Sequence, residues 1–269
     1  MDTNSHTFNS TLQNNIISGA FVGQNILTYK EITSTNDLMK ELVANSTPLA
    51  EGTVIMAESQ TAGKGQQQNG WHSEAGKNLT FSLLLFPDFL TADHTFSLLS
   101  TISLGTIKAL QNILGDQTRI KWPNDIYYGQ KKLGGILIEN LLAKRSIKQS
   151  VVGIGININQ ETFPDHLPNP ISMQQILNKN SVIKEVLSQI CTSIEFYYLK
   201  LKAGNFDEIK QEYLQNLYGL GQELPFQTKK EIFAGRISTV NHLGKLGIQR
   251  ENETEFFDLK EIKFIFNQP

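Results

Sequence analysis

Lys121-Trp122-Pro123-Asn124-Asp125 and, a few residues later, Lys132-Leu133-Gly134-Gly135-Ile136-Leu137 form the most informative part of this 269-residue sequence. The first stretch contains a Lys, an Asn and an Asp, and the second begins with another Lys before two glycines. Two ammonium groups and a carboxylate around a cleft suit an anionic substrate. The alternative is an ordinary strand exit, in which Pro and Asn-Asp make a turn.

The spacing of these residues predicts one β-hairpin. Residues 118–122 have strand character, Gly129-Gln130 is a turn signal, and residues 136–138 are an apolar run. Because paired strands lie about 5 Å apart, we expect Lys121, Asp125 and Lys132 to converge on one pocket.

The composition indicates a globular chain with a real core, since 39% of the residues are hydrophobic and 9% are aromatic. A formal charge of −2 gives no general attraction to nucleic acid or to acidic membranes. Cys191 is the one cysteine, so no internal disulfide can form, and we expect a reducing, cytoplasmic location. The five His residues show no metal-ligand spacing, and no metal site made by the protein is predicted.

Three segments follow from the pattern along the chain. Residues 1–25, rich in Asn, Ser and Thr, lack the basic start of a secretory signal, and their apolar patch is too short for a membrane span; we predict a flexible extension. Residues 26–220 alternate strand and helix patterns and are predicted to form the main domain, with helices at 95–114 and 181–202. Residues 221–269 change to five short strands and predict a small barrel.

Two polar segments within the main domain suit a ligand. Gly63-Lys64-Gly65 lies in a long loop of polar residues and offers backbone N–H groups and a cation to a phosphate, although it is not a Walker A sequence. Residues 150–159 predict a strand with one apolar face and one face of small residues, Gly153 and Gly155, that ends at Asn157. A ligand can lie close against such a face.

Four segments in this order resemble the biotin–protein ligases, which activate biotin with ATP and attach it to a carrier lysine. The four segments are Ser34-Thr35-Asn36; Gln60 to Gly65 with Trp71; Lys121 to Asp125 with Lys132 to Gly135; and Val152 to Asn157. Together they span residues 34 to 157. The resemblance implies an α+β fold, with a mixed sheet flanked by helices as in the class II aminoacyl-tRNA synthetase and biotin ligase catalytic domains, and a C-terminal SH3-like β-barrel.

The resemblance also implies the roles of individual residues. Lys132, Asp125 and Lys64 become the catalytic candidates, with Lys132 between the two reacting anions and Asp125 as the base that accepts a proton from the acceptor amine. The biotin site is assigned to Ser34, Thr35, Asn36, Gln60, Gly63, Lys64, Gly65, Lys132, Gly135, Gly153 and Gly155. The nucleotide site is assigned to Lys64, Trp71, Lys121, Asn124, Lys132 and Asn157.

The implied substrates are biotin and ATP with Mg²⁺, and the implied partner is a biotin carboxyl carrier protein. A lipoate–protein ligase with the same adenylate chemistry and a non-catalytic biotin or adenylate sensor are the alternatives. Residues 1–25 are too short for the winged helix that some ligases of this family carry, so we expect no DNA binding. No membrane partner is expected, and a homodimer is left open.

The sequence departs from the family in two places. The family's loop usually contains several arginines, whereas residues 63–71 contain only the cation Lys64 and carry Gln66-Gln67-Gln68. In the small domain, Thr239 to Gly244 lacks the usual Gly-Ile-Asp. Both departures bear on how the nucleotide is enclosed.

Overall fold

The structure is a computed structural model and describes residues 11–13, 18–45, 48–66, 70–251 and 253–266. The strands are β1 (Thr11–Gln13), β2 (Ile26–Ile32), β3 (Val54–Gln60), β4 (Leu79–Leu85), β5 (Thr118–Lys121), β6 (Asp125–Tyr128), β7 (Lys131–Ala143), β8 (Ser146–Ile156), β9 (Glu223–Gln227), β10 (Ile232–Val240), β11 (Leu246–Arg250), β12 (Glu253–Phe257) and β13 (Lys263–Phe264). The helices are α1 (Thr35–Ala44), α2 (Thr95–Leu114), α3 (Met173–Leu177), α4 (Ile183–Lys202) and α5 (Phe206–Gln215), and a 3₁₀ turn (Ala92–His94) precedes α2.

A mixed sheet of eight strands, in the order β1-β2-β3-β4-β8-β7-β6-β5, forms the body of the molecule. β2 and β3 are parallel, and the other neighbouring strands are antiparallel. All seven residues of the central strand β4 are buried, because helices cover both faces of the sheet. The predicted α+β class with a mixed sheet and flanking helices is confirmed.

The two faces of the sheet pack against different helices. On one face, Leu83 and Val152 belong to the large core that also contains apolar residues of α2 and α4. On the other face, Leu84 and Val151 pack with Leu38 and Met39 of α1. The period-2 alternation along β4 and β8 therefore assigns each strand residue to one of two cores. The helix predicted at residues 95–114 is confirmed as α2.

The predicted single hairpin is wrong, because three strands stand in its place. β5 ends at Lys121 and pairs with β6, and β6 pairs in turn with β7 across the turn at Gly129-Gln130. Pro123 has no N–H to donate to a sheet, so the chain turns there and not only at Gly129. The register puts Lys121 opposite Asp125, and Asp125 opposite Gly135. The expectation that the polar ends of these strands converge on one pocket still holds, because they meet in the three-stranded arrangement as well.

The C-terminal strands form a second sheet of five antiparallel strands, in the order β12-β11-β10-β9-β13. Its Phe226 and Ile237 belong to the same continuous core as Leu110 and Ile120 of the main body. The indole N–H of Trp122 donates to the Gly244 carbonyl over 2.9 Å and joins the β5–β6 turn to this sheet. A small all-β C-terminal part is confirmed, while the boundary at residue 220 and the SH3-like barrel stay predictions.

The segment before β2 is held by α4. The N–H groups of Ala20, Phe21 and Val22 donate to the carboxylate of Glu195 over 2.6 to 2.8 Å. β1, within the predicted extension, pairs with β2, while residues 1–10 and 14–17 of that extension lie outside the described residues. In the part of the chain that the structure describes, no helix is long and apolar enough to cross a membrane.

Candidate active site

A cavity of about 210 Å³ opens on the α1 face of the large sheet, between the start of α1 and the β5–β6–β7 turns. Fourteen of the predicted site residues line it: Ser34, Thr35, Asn36, Gln60, Lys64, Gly65, Trp71, Lys121, Asn124, Asp125, Lys132, Gly135, Gly153 and Gly155. The structure thus brings residues from all four sequence segments to one place. Gly63 and Asn157 are the two predicted residues that do not line this cavity.

The start of α1 forms one end of the cavity. Ser34 caps the helix, and its Oγ accepts from the Asp37 N–H over 3.4 Å, as Ser residues commonly do at this position. The Thr35 N–H donates to Oε1 of Gln60 over 2.7 Å, which fixes the end of β3 against the helix. The hydroxyl oxygens of Ser82 on β4 and Thr35 are 2.7 Å apart and share a hydrogen bond. The helix cap therefore lies at the cavity, where the sequence predicts a ligand.

Both ends of the Asn36 amide are used within the protein. Its Oδ1 accepts from the Ser82 hydroxyl, and its Nδ2 donates to Glu139 Oε2 over 2.8 Å. Asn36 is almost fully buried, so these bonds fix the amide against β8. In this arrangement Asn36 shapes the cavity wall and holds Ser82 and Glu139 in place.

Glycines on β7 and β8 make room for the cavity. A Cβ at Gly153 would lie 2.5 Å from Asn36 Oδ1, and one at Gly155 would lie 2.4 Å from the Trp71 ring. A Cβ at Gly135 would lie 3.3 Å from Asp125 Oδ1. Only a residue without a side chain lets these groups approach the sheet so closely. The indole N–H of Trp71 is buried there without a hydrogen-bond partner.

An ion pair on β6 and β7 also lines the cavity. Lys132 Nζ is 2.8 Å from Asp125 Oδ1, and both side chains are partly exposed to the cavity. The backbone N–H of Lys132 donates to the Asn169 carbonyl over 2.8 Å, which anchors the start of β7. The Asn124 amide donates to the Ile136 carbonyl and holds the β5–β6 turn against β7.

Lys121 lies beside this ion pair but faces aromatic rings. Its ammonium is 5.5 Å from the centre of the Tyr127 ring and 4.9 Å from that of Phe264 in β13. Burial lowers the pKa of Lys121 below its ordinary value, the charge of Asp125 opposes this, and the charge of Lys132 adds to it. The C-terminal sheet thus supplies part of the surroundings of a predicted nucleotide-binding residue.

A second cavity, of about 440 Å³, adjoins the first. Asn157 lines it, and Gly70, Trp71 and Lys132 line both cavities. Asn157 is held by the bond from its Nδ2 to the Ile171 carbonyl, at 3.0 Å. Lys132 therefore stands where the two cavities meet, with the predicted biotin residues on one side and Asn157 on the other.

Lys64 lies in the polar segment that follows β3. Its ammonium is 2.7 Å from Asp37 Oδ2 on α1, and its backbone pairs with Gly70 across the loop. Gly63 packs against the Trp71 carbonyl, which a Cβ would approach to 2.5 Å, so Gly63 supports the loop without lining the cavity. Gln66 lines the cavity, whereas Gln67 and Gln68 lie outside the described residues.

Sequence reasoning missed several residues that build the site. Ser82, Asp37 and Glu139 hold the predicted residues in place, and Leu259 of the C-terminal part lines the cavity. A Ser inside the apolar run of β4 was the one available signal, because a fully buried hydroxyl needs a partner. Nothing in the sequence singles out Leu259. Among the described residues, no group of three or more His, Cys, Asp or Glu side chains is placed to hold a metal ion.

Comparisons with known proteins agree with this geometry. The sequence profile of the biotin/lipoate A/B protein ligase family matches residues 29–157. The bifunctional ligase/repressor BirA of Bacillus spizizenii is 31% identical over 233 residues, which are 86% of this chain and 71% of that protein. The BirA of Bacillus subtilis is also 31% identical, over 84% of this chain and 69% of its own length. The biotin protein ligase of Aquifex aeolicus, solved in complex with biotin and ATP, superposes with a TM-score of 0.76 at 28% identity and covers 90% of this chain and 99% of its own.

Proposed function

The chain belongs to the biotin/lipoate A/B protein ligase family, and from this premise we propose that it is a biotin–protein ligase. It activates biotin with ATP to biotinyl-5′-AMP and transfers the biotinyl group to a lysine of a biotin carboxyl carrier protein. The observation that carries the proposal is the position of Lys132, which lines both cavities and pairs with Asp125 at their junction.

The first half-reaction joins two anions. A biotin carboxylate oxygen bonds to the α-phosphorus of ATP, and pyrophosphate leaves with the bonding electron pair. Negative charge concentrates on the α-phosphate in the transition state, and the Lys132 ammonium at the junction of the cavities supplies the opposing charge. Fixed positions for both substrates supply the rest of the rate enhancement, and no covalent bond to the enzyme is needed.

The second half-reaction transfers the biotinyl group. The acceptor lysine amine bonds to the acyl carbon, AMP leaves, and the amine loses a proton. Asp125 is the carboxylate among the residues that line the cavity, and it takes this proton once Lys132 has turned toward the phosphate. The ion pair thus keeps together the two groups that act in successive steps.

Mg²⁺ enters with the nucleotide in this proposal. Mg²⁺ in such sites is held by one or two carboxylates together with substrate phosphates, and a dedicated protein cage is not required. Asp125 is available for one such bond, and the ion would neutralise charge on the leaving pyrophosphate. Mg²⁺ itself, the cytoplasmic location and the absence of DNA binding remain predictions from the sequence, and a homodimer remains open.

Biotin is favoured over lipoate because the Aquifex aeolicus protein, which matches 90% of this chain, is a biotin protein ligase solved in complex with biotin and ATP. A catalytic role is favoured over a sensor because a cation and a carboxylate stand together at the cavity junction. The three functions differ in what the protein does with its ligands, so one assay separates them.

The test is transfer to a carrier. The purified chain is incubated with ATP, Mg²⁺, biotin and a biotin carboxyl carrier domain, and the carrier is examined by intact mass spectrometry. We expect one biotinyl group on the acceptor lysine, and none on a carrier in which that lysine is replaced by Arg. The proposal is refuted if the carrier stays unmodified after prolonged incubation, although control reactions show that the same carrier can be biotinylated.

A further inference from the structure

Four hydrogen-bonded side chains connect β7 to the start of α1 at the cavity wall. Glu139 Oε2 accepts from the Asn36 amide over 2.8 Å, and Asn36 Oδ1 accepts from the Ser82 hydroxyl. The hydroxyl oxygens of Ser82 and Thr35 are 2.7 Å apart. Ser82, Asn36 and Thr35 are all buried, so these groups depend on one another for their hydrogen-bond partners.

The direction of these hydrogen bonds is determined at Glu139. A carboxylate accepts hydrogen bonds and donates none, so the NH₂ group of the Asn36 amide has to face Glu139. The Asn36 oxygen therefore faces Ser82, and the single proton of the Ser82 hydroxyl is used in that bond. Because Ser82 has no second proton, Thr35 is the donor in the bond between the two hydroxyls.

The consequence reaches the cavity through Thr35, which lines it. With the Thr35 proton committed to Ser82, any hydrogen bond between the Thr35 hydroxyl and a ligand is one that Thr35 accepts. Gln60 also lines the cavity and is oriented in the opposite sense, because its Oε1 accepts from the Thr35 N–H and its NH₂ group remains as a donor. An acceptor beside a donor suits the N–H and C=O groups of a cyclic urea.

Lys40 holds the other oxygen of Glu139. Its ammonium is 2.7 Å from Glu139 Oε1 and 3.0 Å from Asp37 Oδ1. Burial lowers the pKa of Lys40, but the hydrogen bonds and charges of Glu139 and Asp37 outweigh burial and bring the pKa above its ordinary value. Lys40 is therefore a donor fixed beside Glu139, and Asp37 still holds it there when the charge of Glu139 is removed.

We propose that Glu139 is a positioning residue that sets the direction of the hydrogen bonds through Asn36 and Ser82, so that Thr35 presents an acceptor to a ureido N–H of biotin. The inference rests on the proposed function. Among the described residues that line the two cavities, Thr35 is present and Glu139 is not, so Glu139 acts through Thr35 and not on biotin directly.

Glu139→Gln tests the direction of these bonds and keeps the size of the side chain. The oxygen of the new amide pairs with Lys40, which only donates, so the new NH₂ group faces Asn36. The Asn36 amide then turns over, Ser82 donates to Thr35, and the Thr35 proton meets the ligand N–H. Because two donors then face each other, biotin should bind about ten-fold more weakly in calorimetric titration, which corresponds to about 1.4 kcal/mol.

Lys40→Met separates this effect from the loss of an ion pair. In this variant Glu139 still only accepts, and a half-exposed pair contributes little, so biotin binding should stay within about two-fold of wild type. In the double variant Glu139→Gln with Lys40→Met, no ammonium holds the new oxygen, and the oxygen is free to face the Asn36 amide. We expect the double variant to bind biotin about five-fold more tightly than Glu139→Gln alone.

Glu41→Gln is the matched control, because it makes the same chemical change at an exposed position of α1 and should bind biotin as wild type does. Two outcomes overturn the inference. One is unchanged binding in Glu139→Gln. The other is a double variant that binds biotin no better than Glu139→Gln, the result expected if Glu139 only stabilises the fold.

Neutron diffraction from the deuterated wild-type protein reads the direction of the bonds without any variant. We expect the Ser82 deuteron to point at Asn36 Oδ1 and the Thr35 deuteron to point at Ser82. A Ser82 deuteron directed at Thr35 contradicts the inference. Failure of wild type to bind biotin in the titration instead contradicts the proposed function, so the two failures are distinguishable.

Discussion

Lys132 Nζ lies 2.8 Å from Asp125 Oδ1, across the β6–β7 pair and at the junction of the two cavities. The two groups assigned to successive half-reactions thus form one ion pair. Each side chain neutralises the other until a substrate anion competes for the ammonium. Variants at the two positions should therefore fail at different steps.

Lys132→Ala should slow adenylate formation by about 10²- to 10³-fold, the usual cost of removing a group that opposes charge in a transition state. Single-turnover formation of biotinyl-adenylate from biotin and ATP measures this step. Lys131→Ala is the matched control, because Lys131 is the neighbouring exposed lysine. A rate within a few-fold of wild type would exclude Lys132 from the charge-stabilising role.

Asp125→Asn should impair transfer more than adenylate formation. An amide keeps the shape of the carboxylate but does not accept a proton at neutral pH, so the acceptor amine loses its base. Transfer from preformed adenylate to a carrier domain gives the rate, and Asp116→Asn at an exposed site is the control. If both variants transfer at the same rate, Asp125 is not the base.

Gly153→Ala should weaken biotin binding by about ten-fold or more, because overpacking a close contact typically costs 1–3 kcal/mol. The new Cβ would lie 2.5 Å from Asn36 Oδ1 and would displace the amide that holds Ser82 and Glu139. Calorimetric titration with biotin measures the change. Gly235→Ala, whose Cβ would lie equally close (2.5 Å) to Ile248 Cγ2 but away from the cavity lining, should bind biotin normally, and equal losses in both variants would contradict this account.

Gln66→Arg should hold the biotinyl-adenylate longer. Gln66 lines the cavity at a point where the family's loop is rich in arginine. A hydrogen bond to a charged group contributes roughly 1.5–3 kcal/mol against about 1 for a neutral one, so release should slow by about two- to thirty-fold. Stopped-flow release from both proteins tests this, and equal off-rates mean that residue 66 does not touch the intermediate.

The titration of Lys121 should respond to Asp125. Burial holds the pKa of Lys121 below its ordinary value, and the carboxylate of Asp125 partly offsets this. Loss of that negative charge in Asp125→Asn removes an interaction that favours the ammonium, so the pKa of Lys121 should fall further. The pH dependence of stability follows from this shift. A lysine whose pKa is lower in the folded than in the unfolded protein makes the free energy of unfolding increase as the pH rises from the folded pKa toward the unfolded value of about 10.4.

Carbon-13 NMR of labelled lysine side chains follows this titration directly. Lys121→Met identifies the signal, and exposed lysines serve as internal references. A Lys121 pKa that rises or stays constant in Asp125→Asn would contradict the electrostatic account.

The parts of the fold that the sequence predicted are those with a strong local period. α2 matches the prediction at both ends because its apolar residues recur at helical spacing. The face of β8 that carries small residues was also predicted from the sequence, because Gly153 and Gly155 alternate with large apolar residues. The extra strand β6 was missed because four residues, Asp125–Tyr128, carry no period of their own.

The parts that could not be predicted depend on contacts between distant residues. Phe264 contacts Lys121, although it lies 143 positions further along the chain, and no local sequence pattern predicts such a contact. Asp37 looks like an ordinary acidic residue in a first helix turn until the structure places Lys64 against it. Ser82 was visible as a polar residue in an apolar strand, but its partners, Thr35 and Asn36, were not.

Pyrophosphate exchange into ATP is the most direct test of the central claim, because it requires reversible adenylate formation and no carrier. The wild-type chain is assayed with labelled pyrophosphate, ATP and Mg²⁺, with biotin, lipoate or no acid added. We predict exchange that depends on biotin, is absent with lipoate, and is lost in Lys132→Ala. Exchange supported by lipoate and not biotin, or no exchange with either acid, would contradict the assignment of this chain as a biotin–protein ligase.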